Sequence, residues 1–172
     1  RGFGHVVVGP PGSGKSTYCA GLQQVARAIG RKVCVVNLDP ANDVPPYEPD
    51  VDIAELVDAT EVMRKLQLGP NGALLYCMDF LRENADWLLE RLRFQNTKNA
   101  TDYFVFDMPG QLELYTHSDS VKELCEILAN SPRSQAKNSG SENGMSDTTD
   151  SKTVVQLQLA VLNLVDSHYC TD

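Results

Sequence analysis

Apolar residues recur along this chain in two rhythms, short unbroken runs and helical spacing, and the two alternate. His5 to Val8 is a short apolar run that stops at Gly9, whereas Ser16 to Ile29 is rich in helix formers with apolar residues at helical spacing. Lys32 to Leu38 returns to strand character through Val33, Val35 and Val36. Strand, loop, helix and strand in that order form a β-α-β unit, whose crossover is expected to be right-handed and whose two strands are then parallel. Asp39 to Asp50 follows with four prolines (Pro40, Pro45, Pro46, Pro49), which forbid regular structure and hold an extended loop of the kind that lies beside a ligand. Helices are expected to begin near Asp52 and Thr60. Gly69-Pro70-Asn71-Gly72 reads as a helix-breaking turn, and Ala73 to Phe94 as strongly helical, with Leu75, Met78, Phe80, Leu81, Trp87, Leu88 and Leu92 able to share faces. Tyr103 to Phe106 reads as a buried strand running into Asp107, His117 to Ala129 as a helix, and Thr153 to Val165 as a last strand ending at Asp166.

Between those last two elements the pattern fails. Residues 130–152 are Ser, Asn, Gly, Asp, Thr and Lys with almost nothing apolar, so they cannot bury enough surface to offset their ordering entropy, and a flexible surface insertion is expected there. The remainder, within 172 residues of which 42% are hydrophobic and 22% charged, has the composition of one globular α/β domain spanning 1–172. No internal repeat is visible. The longest apolar stretch, Val154 to Val165, is broken by Gln156, Gln158 and Asn163 and is far shorter than the roughly 20 residues of a membrane span. A net charge of -8 argues against direct nucleic-acid binding, whose affinity comes largely from Lys and Arg on phosphates. The five cysteines are widely spaced and never paired as C-x-x-C, which disfavours a zinc site and a disulfide framework and points to a reducing compartment.

Two short stretches carry chemistry. Gly9-Pro10-Pro11-Gly12-Ser13-Gly14-Lys15-Ser16-Thr17 fits the P-loop pattern, in a strand-loop-helix context. Backbone N–H groups across Gly12, Ser13, Gly14 and Thr17 face the phosphates, Lys15 reaches the β/γ oxygens and Ser16 reaches Mg²⁺. Asp107-Met108-Pro109-Gly110-Gln111 supplies the rest: Asp107, at the end of a central strand, accepts from Mg²⁺-bound water, and the Gly110 amide bonds the γ-phosphate, so loss of that phosphate releases the segment beyond it. Gln111 and Glu113 follow within reach of the attacking water, which either can orient or deprotonate. A kinase passing the γ-phosphate to a small nucleoside-type acceptor and a non-catalytic scaffold stabilised by nucleotide share part of this pattern. The chain has no visible arginine-rich lid of the first kind.

Leu68-Gly69-Pro70-Asn71-Gly72, Asn37-Leu38-Asp39-Pro40-Ala41, Tyr47-Glu48-Pro49, Val51-Asp52-Ile53 and the run from Asp107 to His117 together resemble the GPN-loop GTPase family. Within it, Asp52 to Val57 and Leu164 to Asp172 are most similar to the second of three eukaryotic paralogues. The resemblance implies a P-loop NTPase fold, three layers α/β/α around a mostly parallel sheet, with the GPN loop as a helical insertion. It also implies a Mg²⁺-dependent GTPase working as a homodimer or as a heterodimer with a paralogue. Gly69, Pro70 and Asn71 then lie at the dimer contact, with Asn71 acting in trans on the partner's γ-phosphate. Asp39 joins the metal shell or the attacking water. The clients implied are subunits or assembly factors of RNA polymerases II and III, and the location the cytoplasm with passage to the nucleus. One departure stands out. A guanine-reading [NT]-K-x-D element is expected after the strand that ends near Asp166, and none precedes Asp172, so the chain is expected to be incomplete at its C-terminus and GTP rather than ATP follows from the resemblance alone.

Overall fold

The structure, a computed structural model, describes residues 2–99, 101, 103–130 and 157–165. Five strands, β1 (Gly2–Val8), β2 (Cys34–Asn37), β3 (Val51–Asp52), β4 (Tyr103–Asp107) and β5 (Leu157–Asn163), form one sheet in the order β3-β2-β4-β1-β5. Every pairing is parallel; Val7 lies opposite both Asp107 and Leu162, and Asn37 lies opposite Asp107. The β-rich runs of the sequence are therefore the sheet, all parallel rather than mostly so. β3 is a strand that the expected helix start near Asp52 did not anticipate.

Alternation along each strand divides the core into two layers. Val7, Val35 and Val105 point to the side of α1 (Lys15–Ala28), where they meet Cys19, Ala20 and Tyr47. Val6, Cys34, Val36, Phe104 and Phe106 point the other way, onto α3 (Pro70–Glu83), α4 (Ala85–Asn99) and α6 (Ser120–Asn130) through Leu74, Met78, Leu81, Leu88, Leu92, Leu124 and Leu128. Residues buried on both faces are why these strands read as continuous apolar runs. The three-layer α/β/α architecture follows.

The helical stretches differ from the expected boundaries in four places. A single 3-10 turn, Ile53–Glu55, starts where Asp52 caps the Ala54 amide, and α2 (Ala59–Leu66) begins beyond Asp58, whose carboxylate caps the Glu61 amide at 2.9 Å. Gly69-Pro70-Asn71 is not a turn between helices but the start of one. Gly69 sits at the N-cap of α3 and Pro70 at its first position, where a missing N–H costs nothing and a fixed φ suits the helix. The long helix expected over Ala73 to Phe94 is two, because Asn84 turns its amide onto the Phe80 carbonyl at 2.8 Å and ends α3 there. The helix expected from His117 is α6, which starts at Ser120, and a short α5 (Glu113–Thr116) that was not expected precedes it. Ser118 separates them and accepts the Ser120 amide.

Residues 131–156 and 166–172 lie outside the described residues, and with them most of the expected insertion and Asp166. Among the described residues, no helix is long and apolar enough to cross a membrane.

Candidate phosphate and metal site

The C-terminal ends of β1, β4 and β2 meet at one edge of the sheet, and each delivers a different group. β1 runs into the glycine-rich turn and then α1. Gly12 and Gly14 adopt φ of 79° and 90°, which side-chain-bearing residues rarely hold, and Gly14 is the residue from which α1 starts. This geometry turns the helix N-terminus and the loop amides toward one concavity, the arrangement that suits a phosphate. Thr17 lies exposed in the first turn, and the Ser13 hydroxyl is buried without a partner among the described residues. Lys15 is only 8% exposed, and its ammonium lies across the loop, donating to the Gly9 and Pro10 carbonyls at 3.1 Å each.

β4 ends in Asp107, which is wholly buried. The Tyr47 hydroxyl donates to its Oδ2 at 2.8 Å, while Oδ1 has no partner of ordinary hydrogen-bond geometry. Burial pushes the Asp107 carboxyl up from its ordinary value; the Ser16 and Tyr47 hydroxyls facing it and the Lys15 charge pull the other way. Ser16, at the second position of α1, accepts from the Asn42 amide at 3.1 Å. A buried oxygen left unsatisfied beside a serine hydroxyl at the phosphate end of a sheet fits a hard, oxygen-seeking cation. Among the described residues no group of three His, Cys, Asp or Glu side chains could hold a metal by itself, and Mg²⁺ commonly takes one or two protein oxygens with phosphate and water supplying the rest. Ser16 and Asp107 are the residues that would hold it.

β2 ends at Asn37 and hands on to Leu38 and Asp39. Asp39 caps the Ala41 amide at 2.9 Å, and the Gly110 amide faces its carboxylate. Burial raises the Asp39 carboxyl, as does the Asp107 charge more weakly, against those two N–H groups and Lys15. The expected phosphate-sensing amide thus lies on the Asp39 side of the site. Gly110 itself is packed so close to the loop that a methyl group on it would lie 2.6 Å from Lys15 Nζ and 2.9 Å from the Pro11 nitrogen. The turn before it is held by Tyr115, whose hydroxyl donates to the Pro109 carbonyl at 2.7 Å. Gln111 follows half-buried with its Oε1 unpartnered among the described residues, and Glu113 opens α5.

Lys15, Ser16, Asp39, Asp107 and Gly110 are therefore brought together. Gly69, Pro70 and Asn71 stand apart from them: Asn71 is exposed in the first turn of α3 and its side chain makes no hydrogen bond among the described residues. Sequence reasoning missed the work of Tyr47 and Asn42. Tyr47 had been noted only as part of a family-like motif, and nothing in the spacing foretold a contact between residues 47 and 107.

A parallel sheet whose first strand enters this loop, with a lysine across it and a carboxylate at the end of the neighbouring strand, defines a P-loop nucleotide-binding protein. A family model described as a conserved hypothetical ATP binding protein matches residues 7–136. The chain is 46% identical over 170 residues to GPN-loop GTPase 2 of Danio rerio, covering 99% of this chain and 46% of that protein. It is 43% identical over 170 residues to GPN-loop GTPase QQT1 of Arabidopsis thaliana, covering 99% and 48%. Its fold is similar to the crystal structure of a GTPase in apo form from Pyrococcus abyssi, with a TM-score of 0.60 and 34% identity over 73% of this chain and 48% of that one. The chain belongs to the GPN-loop GTPase family. It spans about half the length of the curated relatives it matches.

Proposed function

We propose that this chain carries the phosphate end of a Mg²⁺-dependent GTP-hydrolysing switch. The observation that carries the proposal is the packing of Gly110 against Lys15 and Pro11, which sets the turn of one motif directly against the ammonium and loop of the other. Lys15 swings from the Gly9 and Pro10 carbonyls to the β/γ oxygens, where its charge offsets the negative charge that the loop amides gather. The Gly110 amide, which faces Asp39, turns to the γ-phosphate, and the Asp39 carboxylate is placed to accept from the attacking water. Gln111 orients that water and Glu113 takes its proton. Mg²⁺, when bound at Ser16 and Asp107, neutralises charge on the phosphate oxygens. After hydrolysis Gly110 has no phosphate partner, and the segment beyond it is released.

Asn71, exposed at the start of α3 and idle in its own chain, acts in a second protomer, as homodimer or heterodimer. There its side-chain amide stabilises charge on the transferring phosphoryl group. The choice of guanine is supported by the names of the relatives. A role in assembling or importing RNA polymerases II and III, in the cytoplasm and nucleus, rests on the family resemblance.

Phosphate release from GTP and from ATP by the full-length protein tests the reading. Release is expected with GTP and Mg²⁺ and is expected to fall by about 100-fold or more in Gln111→Ala with Glu113→Ala, the scale of general-base and positioning effects. Undiminished release from the double variant, or none from wild type, contradicts it.

A further inference from the structure

The proline-rich loop between β2 and β3 does more than border the site. It holds both of the groups that would face the metal, Ser16 and Asp107. Asn42, near its start, donates to Ser16 Oγ, and Tyr47, near its end, donates to Asp107 Oδ2. The loop is itself fastened at its far side, where Gln23 donates to the Glu48 carbonyl at 2.8 Å and Asp50 accepts the Val35 amide at 2.9 Å. Between these anchors Pro45, Pro46 and Pro49 restrict the backbone.

Tyr47 is the more consequential of the two contacts. Its ring is packed in the α1-side core against Val7, Cys19, Val35 and Val105, so its hydroxyl has little freedom of position. A carboxylate has two oxygens and rotates about χ2 at small cost. With Oδ2 taken by the phenol, the rotation is fixed and Oδ1 is the oxygen left unpartnered at the site. We infer that Tyr47 is a positioning residue for the metal site, which fixes the Asp107 carboxylate so that Oδ1 is presented to the water shell of Mg²⁺. The inference rests on the proposed Mg²⁺-dependent nucleotide binding. It adds that the phenol sets how tightly the ion is held, as hydrogen bonds behind metal-facing groups do elsewhere.

The test is the Mg²⁺ concentration at which a fluorescent, non-hydrolysable GTP analogue is half-bound by the full-length protein. Tyr47→Phe removes only the hydroxyl. It is expected to raise that midpoint about tenfold, with binding regained at high Mg²⁺, and to leave Mg²⁺-free GDP binding unchanged. In an Asp107→Asn background, Tyr47→Phe is expected to shift the midpoint no further. An unchanged midpoint overturns the inference, and so does a loss of binding that is equal at every Mg²⁺ concentration, since that is what a purely structural role would give. Should Tyr47→Phe not fold, the wild-type protein labelled with ¹³C at tyrosine Cζ supplies the answer. The Tyr47 resonance is expected to shift when Mg²⁺ is added to the triphosphate complex, and a resonance insensitive to Mg²⁺ overturns the inference. A wild type that binds the triphosphate without regard to Mg²⁺ sinks the proposed function as well, whereas a Mg²⁺-dependent wild type with an unaffected Tyr47→Phe sinks this inference alone.

Discussion

At the scale of single residues, the polar groups in the interior divide into those that serve the phosphate edge and those that do not. His5 belongs to the second kind. It is 7% exposed on β1, its Nδ1 lies 3.0 Å from the Tyr103 hydroxyl, its ring meets Tyr18 edge-on at 5.6 Å, and its Nε2 has no partner among the described residues. Burial holds its imidazole below the ordinary value of about 6.5, so the unfolded chain takes up the proton first. The stability that neutral His5 supports is present above that value and is lost as pH falls below it toward the folded one. The raised carboxyls of Asp39, Asp50 and Asp107 act in the opposite sense, because their folded forms hold protons more tightly than the unfolded chain. The informative comparison is therefore between variants. Thermal midpoints recorded from about pH 7.5 down to 5.5 are expected to fall less steeply for His5→Phe than for wild type, and parallel slopes would remove His5 from the balance. Legibility in the sequence divides along the same lines. Lys15, Ser16, Asp107 and Gly110 were readable because each motif encodes a local backbone shape. Tyr47 was not, because its partner is 60 residues distant and only the pairing of β2 with β4 brings the loop over Asp107.

At the scale of elements, α3 links the exposed Asn71 to the segment that follows Gly110. Two turns along α3 from Asn71, Asp79 accepts from the hydroxyls of Ser118 and Ser120, which lie between α5 and the start of α6. Ser120 is 1% exposed and Asp79 half-buried, so this is a part-buried bond to a carboxylate, of a kind worth about 1.5–3 kcal/mol. Asp79→Ala is expected to lower unfolding free energy by about that amount, since it leaves the Ser120 hydroxyl without its acceptor while Ser118 can still donate to Ser120. Denaturant unfolding checks this, and a loss within about 0.5 kcal/mol, the range of ordinary surface substitutions, would mean the bonds are re-formed with water. These same elements are where the pattern of apolar residues misled. Leu75 through Leu92 does keep one apolar face on the sheet, but a face is continuous across the break at Asn84, so periodicity gave one helix where a side chain bonded to the Phe80 carbonyl makes two. Gly69-Pro70 had looked like punctuation between helices, whereas a proline in the first turn begins one. β3 was missed because two residues are too few to show any period.

At the scale of the whole molecule, the parallel sheet acts as a frame that carries three chain segments, far apart in sequence, to one edge. The phosphate loop leaves β1, Asp39 leaves β2 and Asp107 ends β4, and since β4 lies between β2 and β1 its carboxylate is central. That placement follows from the strand order, which the sequence did not specify beyond the first β-α-β unit. The frame also explains why Gly110 cannot be larger: the turn after β4 descends directly onto the turn after β1. The proposed switch requires this contact to be its phosphate sensor. The most direct measurement is the affinity of full-length Gly110→Ala for a non-hydrolysable GTP analogue and for GDP, both with Mg²⁺, beside its rate of phosphate release. The added methyl meets Lys15 Nζ at 2.6 Å and the Pro11 nitrogen at 2.9 Å, so the turn must move off the loop. The account predicts that preference for triphosphate over diphosphate falls by about tenfold, the worth of one charge-assisted hydrogen bond, and that phosphate release falls with it, while GDP binding is retained. Wild-type preference and wild-type release in Gly110→Ala would contradict it.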